Sequence, residues 1–255
     1  MPCLIPEILF EIGKKLIEDG NLKAIIQFGF SGKESLNVLK NVFASISTIK
    51  IYDNQIGIGW NQTCSNFGAE KIPKCFLNCI GGNVKCFYIE LKINPIFQTI
   101  IDKIISKKQL VSFSAGINSY CINNLNIYKI LPTFSLTLKD LEIPAAAISL
   151  NLRMSLQPEN LTLKNCFNHN FLYSEFISNY DKTGSLNIIK DFFETLNSPC
   201  LETINFDLKY NGSCKDDITA LKKIIKNSNN FPPNIVYTIL SNKAFLNDTT
   251  SNHEI

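Results

Sequence analysis

The chain contains few of the residues that most often carry out catalysis or bind nucleic acid. Among its 255 residues there are two histidines, and Arg153 is the only arginine. Two histidines give poor support to a histidine-activated nucleophile. One arginine argues against dedicated recognition of phosphate or nucleic acid, for which planar bidentate donors are favoured. The formal net charge of +3 is too small to attract a polyanion. We therefore expect neither an enzyme nor a nucleic-acid-binding protein.

Long apolar segments are also missing. No stretch approaches the roughly 18 apolar residues that a membrane span requires. The first twelve residues contain Glu7 and Glu11 and no basic segment, so no secretory signal is predicted. We expect a cytoplasmic or nuclear protein that makes no contact with membranes. Hydrophobic residues make up 45% and charged residues 18% of the chain, which indicates a folded protein with a large core.

The nine cysteines are an odd number, and in a reducing compartment we expect them to be unpaired and mostly buried. Cys75, Cys79 and Cys86 lie close together in sequence but lack the paired spacing and the fourth ligand of a zinc site. We predict no metal site and no cofactor. Two glycine-containing segments, 29–34 and 57–60, lack the spacing of phosphate-binding loops, and we interpret both as turns.

The N-terminal region has the pattern of three short helices. Pro6 suits a first helical turn, and the apolar residues that follow recur at helical spacing until Asp19-Gly20-Asn21 ends the first helix. A second apolar run begins at Leu22. A third candidate helix buries a stripe that ends at Phe43.

This layout, and the start Leu4-Ile5-Pro6-Glu7-Ile8-Leu9, resembles an F-box. Ile5 stands where the family usually has proline, Gly13 where it has a bulky apolar residue, and the third helix has no tryptophan. The resemblance implies that residues 1–43 dock onto a Skp-type adaptor and through it onto cullin. It assigns adaptor contacts to Leu4, Pro6, Glu7, Ile8, Leu9, Ile12, Leu16 and Leu22.

Residues 44–240 have the pattern of irregular leucine-rich repeats, followed by a polar tail, 241–255, that we expect to be disordered. The repeat alternates apolar residues along a short strand and then places a polar or small residue at the turn. The central apolar positions 87, 113, 136 and 161 are 23 to 26 residues apart, within the range of this architecture. The predicted fold is therefore α/β, with a three-helix F-box-like module and a leucine-rich-repeat-like solenoid. The recognised repeat strands are farther apart at 52–83 and 167–200, and each of these segments contains an insertion or an unrecognised repeat.

The outward-facing positions of these strands form a candidate surface for a protein substrate. Most are hydroxyl or amide side chains, so we expect recognition by hydrogen bonds and shape, with weak salt dependence. The predicted contacts are Thr48, Lys50, Tyr88, Ser112, Ser114, Thr137, Asn160, Thr162, Thr203 and Asn205.

Two other interpretations remain open. The chain could be a stand-alone repeat scaffold whose N-terminal helices only cap the solenoid, or a small-molecule enzyme of an α+β class with a polar pocket. Exposure of Leu4, Ile8 and Leu9 would favour docking over capping.

Overall fold

The computed structural model describes residues 5–61, 63–89, 95–116, 131–144, 158–164, 201–210 and 234–241, together with the helical residues 219, 222, 223 and 226. Helices and a mixed sheet are combined, so the α/β class is confirmed. The chain divides into two compact units, Met1–Phe113 and Ser114–Ile255. The N-terminal helices pack within the same unit as the first strands.

Three helices open the first unit: α1 (Pro6–Glu18), α2 (Leu22–Phe30) and α3 (Lys33–Ala44). Their positions agree with the prediction, since the local signals are strong. Pro6 lies in the first turn of α1, and the side chain of Asn21 accepts a hydrogen bond from the backbone N–H of Ala24 at 3.1 Å, which caps α2. Gly20 makes the turn between these helices with φ +69°.

The three helices pack on one another around a small apolar core. Ile17, Ile25 and Leu39 are fully buried, one from each helix. Gly13 lies where α1 approaches α3, and a Cβ atom at this position would be 3.2 Å from Cγ2 of Val42. A small residue at position 13 therefore permits the close approach of the two helices.

The first strands of this unit combine a hairpin with parallel pairing. In chain order they are β1 (Thr48–Ile51), β2 (Gln55–Trp60), β3 (Thr63–Gly68), β4 (Cys86–Ile89) and β5 (Ser112–Ala115). β1 pairs antiparallel with β2 and parallel with β4, and β2 pairs antiparallel with β3. The β2–β3 hairpin, followed by the short helix α4 (Lys74–Leu77), accounts for part of the wide gap at 52–83.

The prediction of a turn at 57–60 is wrong, because Gly57 and Gly59 lie inside β2. Their lack of a side chain matters for packing rather than for a turn. A Cβ atom on Gly59 would overlap the carbonyl oxygen of Thr63, and one on Gly57 would lie 2.8 Å from Oδ1 of Asn66. The glycines let β3 lie close to β2.

Helix α5 (Gln98–Lys107) lies between β4 and β5 in the chain and follows a 3₁₀ turn at Pro95–Phe97. The helical spacing predicts a buried stripe of Ile100, Ile101, Ile104 and Ile105; the first three are buried and Ile105 is half-buried. The carbonyl of Lys85 accepts hydrogen bonds from the N–H groups that precede and begin β5, so β5 lies beside β4. Phe87 of β4 and Phe113 of β5 pack with ring centroids 5.9 Å apart.

The second unit begins within β5 and continues with β6 (Asp140–Pro144), β7 (Asn160–Lys164), β8 (Thr203–Tyr210) and β9 (Asn234–Ser241). The strands follow one another in chain order, and each pair from β6 to β9 is parallel. The register aligns the buried Leu141, Leu161 and Ile204 across three strands and pairs Ile204 with Ile235 of β9.

The strand predicted at 136–138 is wrong. Leu131–Phe134 form a 3₁₀ turn, and Leu136 is 97% exposed in the turn that follows. The backbone N–H of Thr137 donates to the carbonyl of Phe134, which closes the turn locally instead of pairing with a neighbouring strand. The strand that follows is β6, which starts at Asp140, four residues after Leu136.

Other predicted features fall on residues that the structure does not describe. These are the adaptor contact Leu4, the segment 148–154, whose alternating apolar residues predict a strand, the segment 186–196, whose apolar spacing predicts a helix, and residues 242–255 of the tail. The segment 235–240, which follows Pro232-Pro233 and whose apolar residues predict a last strand, lies within β9.

Candidate functional site

Helix α1 carries a line of exposed apolar side chains. Ile5, which precedes the helix, is 56% exposed, and Ile8 and Ile12 are 44% and 37% exposed. These three residues, called here the isoleucine stripe, continue toward the half-buried Leu16. Together with Glu7, Glu11 and Lys15, the helical part of the stripe lines a shallow open groove. Scattered exposed apolar residues are normal, whereas a contiguous line of them is characteristic of a binding surface.

The structure separates the predicted adaptor contacts into two groups. Pro6, Glu7, Ile8 and Ile12 are exposed, and Leu16 and Leu22 are half-buried. Leu9 is 7% exposed and belongs to the core of the three helices, so it does not form part of an exposed stripe as predicted. Ile5 was not expected to belong to this exposed line, because the resemblance treats it only as a departure from proline.

Acidic side chains dominate the charged edge of the groove. Lys15 lies 3.2 Å from Asp19 and 3.8 Å from Glu18, and its hydrogen bond with Asp19 raises the pKa of its ammonium group. Its charge is thus compensated by residues of the same helix end. Glu7 and Glu11 form no ion pair with the described residues. The edge therefore carries a negative charge.

The opposite side of α1 is attached to the β2–β3 hairpin. The hydroxyl of Ser65 donates to the carbonyl of Glu18 at 2.6 Å, and the ammonium group of Lys14 lies 5.5 Å from the centre of the Trp60 ring. The indole N–H of Trp60 donates to the carbonyl of Ser45 at 3.0 Å, just after α3. These contacts hold the helices on the hairpin.

The strand face of the first unit offers fewer accessible groups than predicted. Thr48 is buried, since it lies between Gly59 of β2 and Cys86 of β4 in the sheet. Lys50, Tyr88 and Ser112 are half-buried. Tyr88 packs against the ring of Tyr52 with centroids 5.6 Å apart.

The strand face of the second unit contains a polar cluster that the sequence did not predict. Ser114 donates to Oε2 of Glu142 at 2.7 Å, and Lys164 forms an ion pair with Oε1 of the same carboxylate. Lys164 also lies 3.3 Å from the Ser114 hydroxyl, although its side chain is only 13% exposed. The cluster links β5, β6 and β7.

The remaining predicted substrate contacts of this unit lie beside that cluster, with one exception. Register places Thr162 next to Glu142 and Asn205 next to Thr162, and Asn160 next to Thr203. Thr137 lies in the turn before β6 and not on a strand. Glu142 and Lys164 add charged groups to this face, and they form an ion pair with each other.

The described cysteines are more accessible than predicted. Cys75 is exposed, and Cys64, Cys79 and Cys86 are half-buried. Burial raises the pKa of the Cys64 and Cys79 thiols, so both carry less thiolate at neutral pH than an ordinary cysteine. In the described part of the chain, no three of the His, Cys, Asp and Glu side chains cluster as metal ligands would. Within the same residues, no helix has the length and apolar character needed to cross a bilayer.

Comparisons with known proteins give no relative: no family model matches the chain, and no match is found among curated proteins or solved structures. The similarity to an F-box and to leucine-rich repeats therefore rests on the residues described above.

Proposed function

We propose that the chain is a substrate-recognition subunit of an SCF-type cullin–RING ubiquitin ligase, acting in the cytoplasm or nucleus. It docks onto a Skp-type adaptor through α1 and holds a protein substrate on the polar face of its parallel strands. Other subunits carry out ubiquitin transfer, so the chain has a binding role and no catalytic one.

The observation that carries the proposal is the isoleucine stripe on the first of three short N-terminal helices. Burying an isoleucine side chain contributes about 1.5–3 kcal/mol. Ile5, Ile8 and Ile12 leave much of that contribution unused in the isolated chain. A surface of this kind suits helix-to-groove recognition by another protein.

The strand arrangement supports the second half of the proposal. Strands that follow one another in chain order and run parallel, as β6 to β9 do, are what successive leucine-rich repeats provide. Such repeats bind partners on the face that their strands line. In the second unit that face presents Thr162, Asn205 and Glu142, which can act as hydrogen-bonding groups.

The test is adaptor binding by the full chain with Ile8→Asp and Ile12→Asp combined. Two carboxylates placed in an apolar interface should weaken the complex on the order of a hundredfold or more. The fold should keep its thermal stability, because both side chains are already exposed. Val236→Asp is the matched control, since Val236 is an equally exposed apolar residue of β9.

Leu9→Asp separates docking from folding. Leu9 is buried among the helices, so this change should lower the melting temperature sharply whether or not an adaptor binds. Unchanged adaptor affinity in the Ile8/Ile12 double variant, or failure of the unmodified chain to bind the adaptor, would refute the proposed function.

A second candidate is a stand-alone repeat scaffold with a helical N-terminal cap. It is favoured by the burial of Leu9 and by the Ser65–Glu18 hydrogen bond, which tie α1 to the body. Under this alternative the isoleucine stripe has no partner. The Ile8/Ile12 double variant would then lose no interaction with another protein.

A further inference from the structure

We infer that the partner of α1 is an amphipathic helix whose apolar face is bordered, on one side, by lysine or arginine. This inference rests on the proposed function, because it gives the chemistry of the partner at the same surface. It goes beyond that function in stating which side chains of the partner lie where.

The sequence of α1 gives the stripe two different borders. At about 100° per residue, Ile8, Ile12 and Leu16 fall within about 80° of one another around the helix. The residues one position later, Leu9, Gly13 and Ile17, are buried and face the other helices. That border is covered by the protein itself.

The residues one position earlier, Glu7, Glu11 and Lys15, form the open border. These three residues line the groove together with the stripe. The ammonium group of Lys15 is compensated by Asp19 and Glu18, so the two carboxylates determine the sign of this border. A partner that covers the stripe brings one flank of its own apolar face next to Glu7 and Glu11. Cationic side chains on that flank would complement the two carboxylates.

The shape of the surface suits a helix as the occupant. From Ile8 to Leu16 the apolar side chains run along one side of α1 for about 12 Å at 1.5 Å per residue, and Ile5 precedes the helix. A line of apolar side chains of this kind interdigitates with the ridges of a second helix.

A second copy of the chain packed antiparallel fits this surface poorly. If two α1 helices packed antiparallel about a twofold axis, the Glu7 and Glu11 borders of both copies would lie on the same side and repel. A partner with the opposite charge avoids that repulsion.

The experiment compares two synthetic 18-residue helical probe peptides that share one leucine stripe and differ only in one flank, which is lysine in one and glutamate in the other. Each labelled peptide is titrated with the full chain at low and at high salt. Two exposed ion pairs should favour the lysine-flanked peptide by about two- to thirtyfold at low salt. The preference should shrink at 0.5 M salt, where the screening length is only a few ångströms, about 4 Å.

Charge-reversal variants test whether the preference for the lysine-flanked peptide depends on the carboxylates of α1. Glu7→Lys combined with Glu11→Lys should reverse the preference for the two peptides. Glu34→Lys, an exposed change in the first turn of α3, is the matched control and should leave the preference intact. Equal affinity for the two peptides, no binding of either, or an unchanged preference in the double variant would overturn the inference.

The inference and the proposed function fail in different ways. If the adaptor binds the chain and the Glu7/Glu11 double variant binds it equally well, the inference is wrong and the proposed function stands. If the chain prefers the lysine-flanked peptide through α1 but does not bind the adaptor, the proposed function is wrong and the inference stands.

Discussion

Replacing Phe76 by alanine should loosen the attachment of α3 to the rest of the first unit. Phe76 of α4 stacks on Phe43 of α3, with ring centroids 4.9 Å apart and planes 7° from parallel, and both side chains are buried. Truncating a buried phenylalanine costs about 3–5 kcal/mol. For a chain of this size we expect a fall of about 6–20 °C in melting temperature.

The assay follows one fluorophore. Trp60 is the single tryptophan, and its indole N–H bonds to the carbonyl of Ser45 directly after α3, so its fluorescence reports unfolding of the first unit. Phe30→Ala is the matched control, because Phe30 is 71% exposed and its loss should change stability by less than about 0.5 kcal/mol. A Phe43/Phe76 double-mutant cycle should give a coupling of about 0.5–1.5 kcal/mol. A Phe76→Ala variant as stable as Phe30→Ala would refute the packing argument.

Two further predictions concern the loop and the thiols around α4. Gly81→Ala should destabilise the chain by about 2–4 kcal/mol in thermal unfolding, because Gly81 has φ +109° and a Cβ atom would lie 2.8 Å from Cβ of Lys103. Gly82→Ala, with no atom within 4 Å of its added Cβ, should be nearly neutral, and similar losses for both would contradict this. Iodoacetamide at neutral pH should modify the exposed Cys75 before Cys79, as read by peptide mass mapping, because burial raises the pKa of the Cys79 thiol. The difference between the two modification rates should decrease as the pH rises and Cys79 ionises. Equal modification rates of Cys75 and Cys79 at neutral pH would contradict this prediction.

The helices were predictable from sequence because their signals are local. Pro6 at the first turn, Gly20-Asn21 after it and the apolar spacing each act within a few residues, and the structure has the three helices in these places. The periodicity did not show which part of the wide apolar sector of α1 packs against the other helices and which part stays exposed. Gly13 was the available signal, since a glycine inside a helix marks a close approach, and its neighbours on the wheel, Leu9 and Ile17, are the buried ones.

The strands were less predictable because register is decided by partners far along the chain. Leu136 and Leu138 alternate just as Leu141 and Ile143 do, and only pairing with β7 selects the second pair. The error in phase had a chemical consequence. Because β6 was not predicted, Glu142 was not expected on the strand face, and its ion pair with Lys164 of β7 was not predicted.

Capping requires buried residues on one side of α1, and docking requires exposed apolar residues on another side. The helix has both kinds of residue. A helix that served only as a cap would need the buried positions Leu9, Gly13 and Ile17, which already hold it against the other helices. It would gain less from isoleucine at 8 and 12, whose side chains are 44% and 37% exposed. Apolar residues repeated along the uncovered side, with acids confined to one of its borders, are what a second interface requires. Attachment of α1 to the body therefore does not compete with the docking hypothesis, because it uses the other half of the same helix.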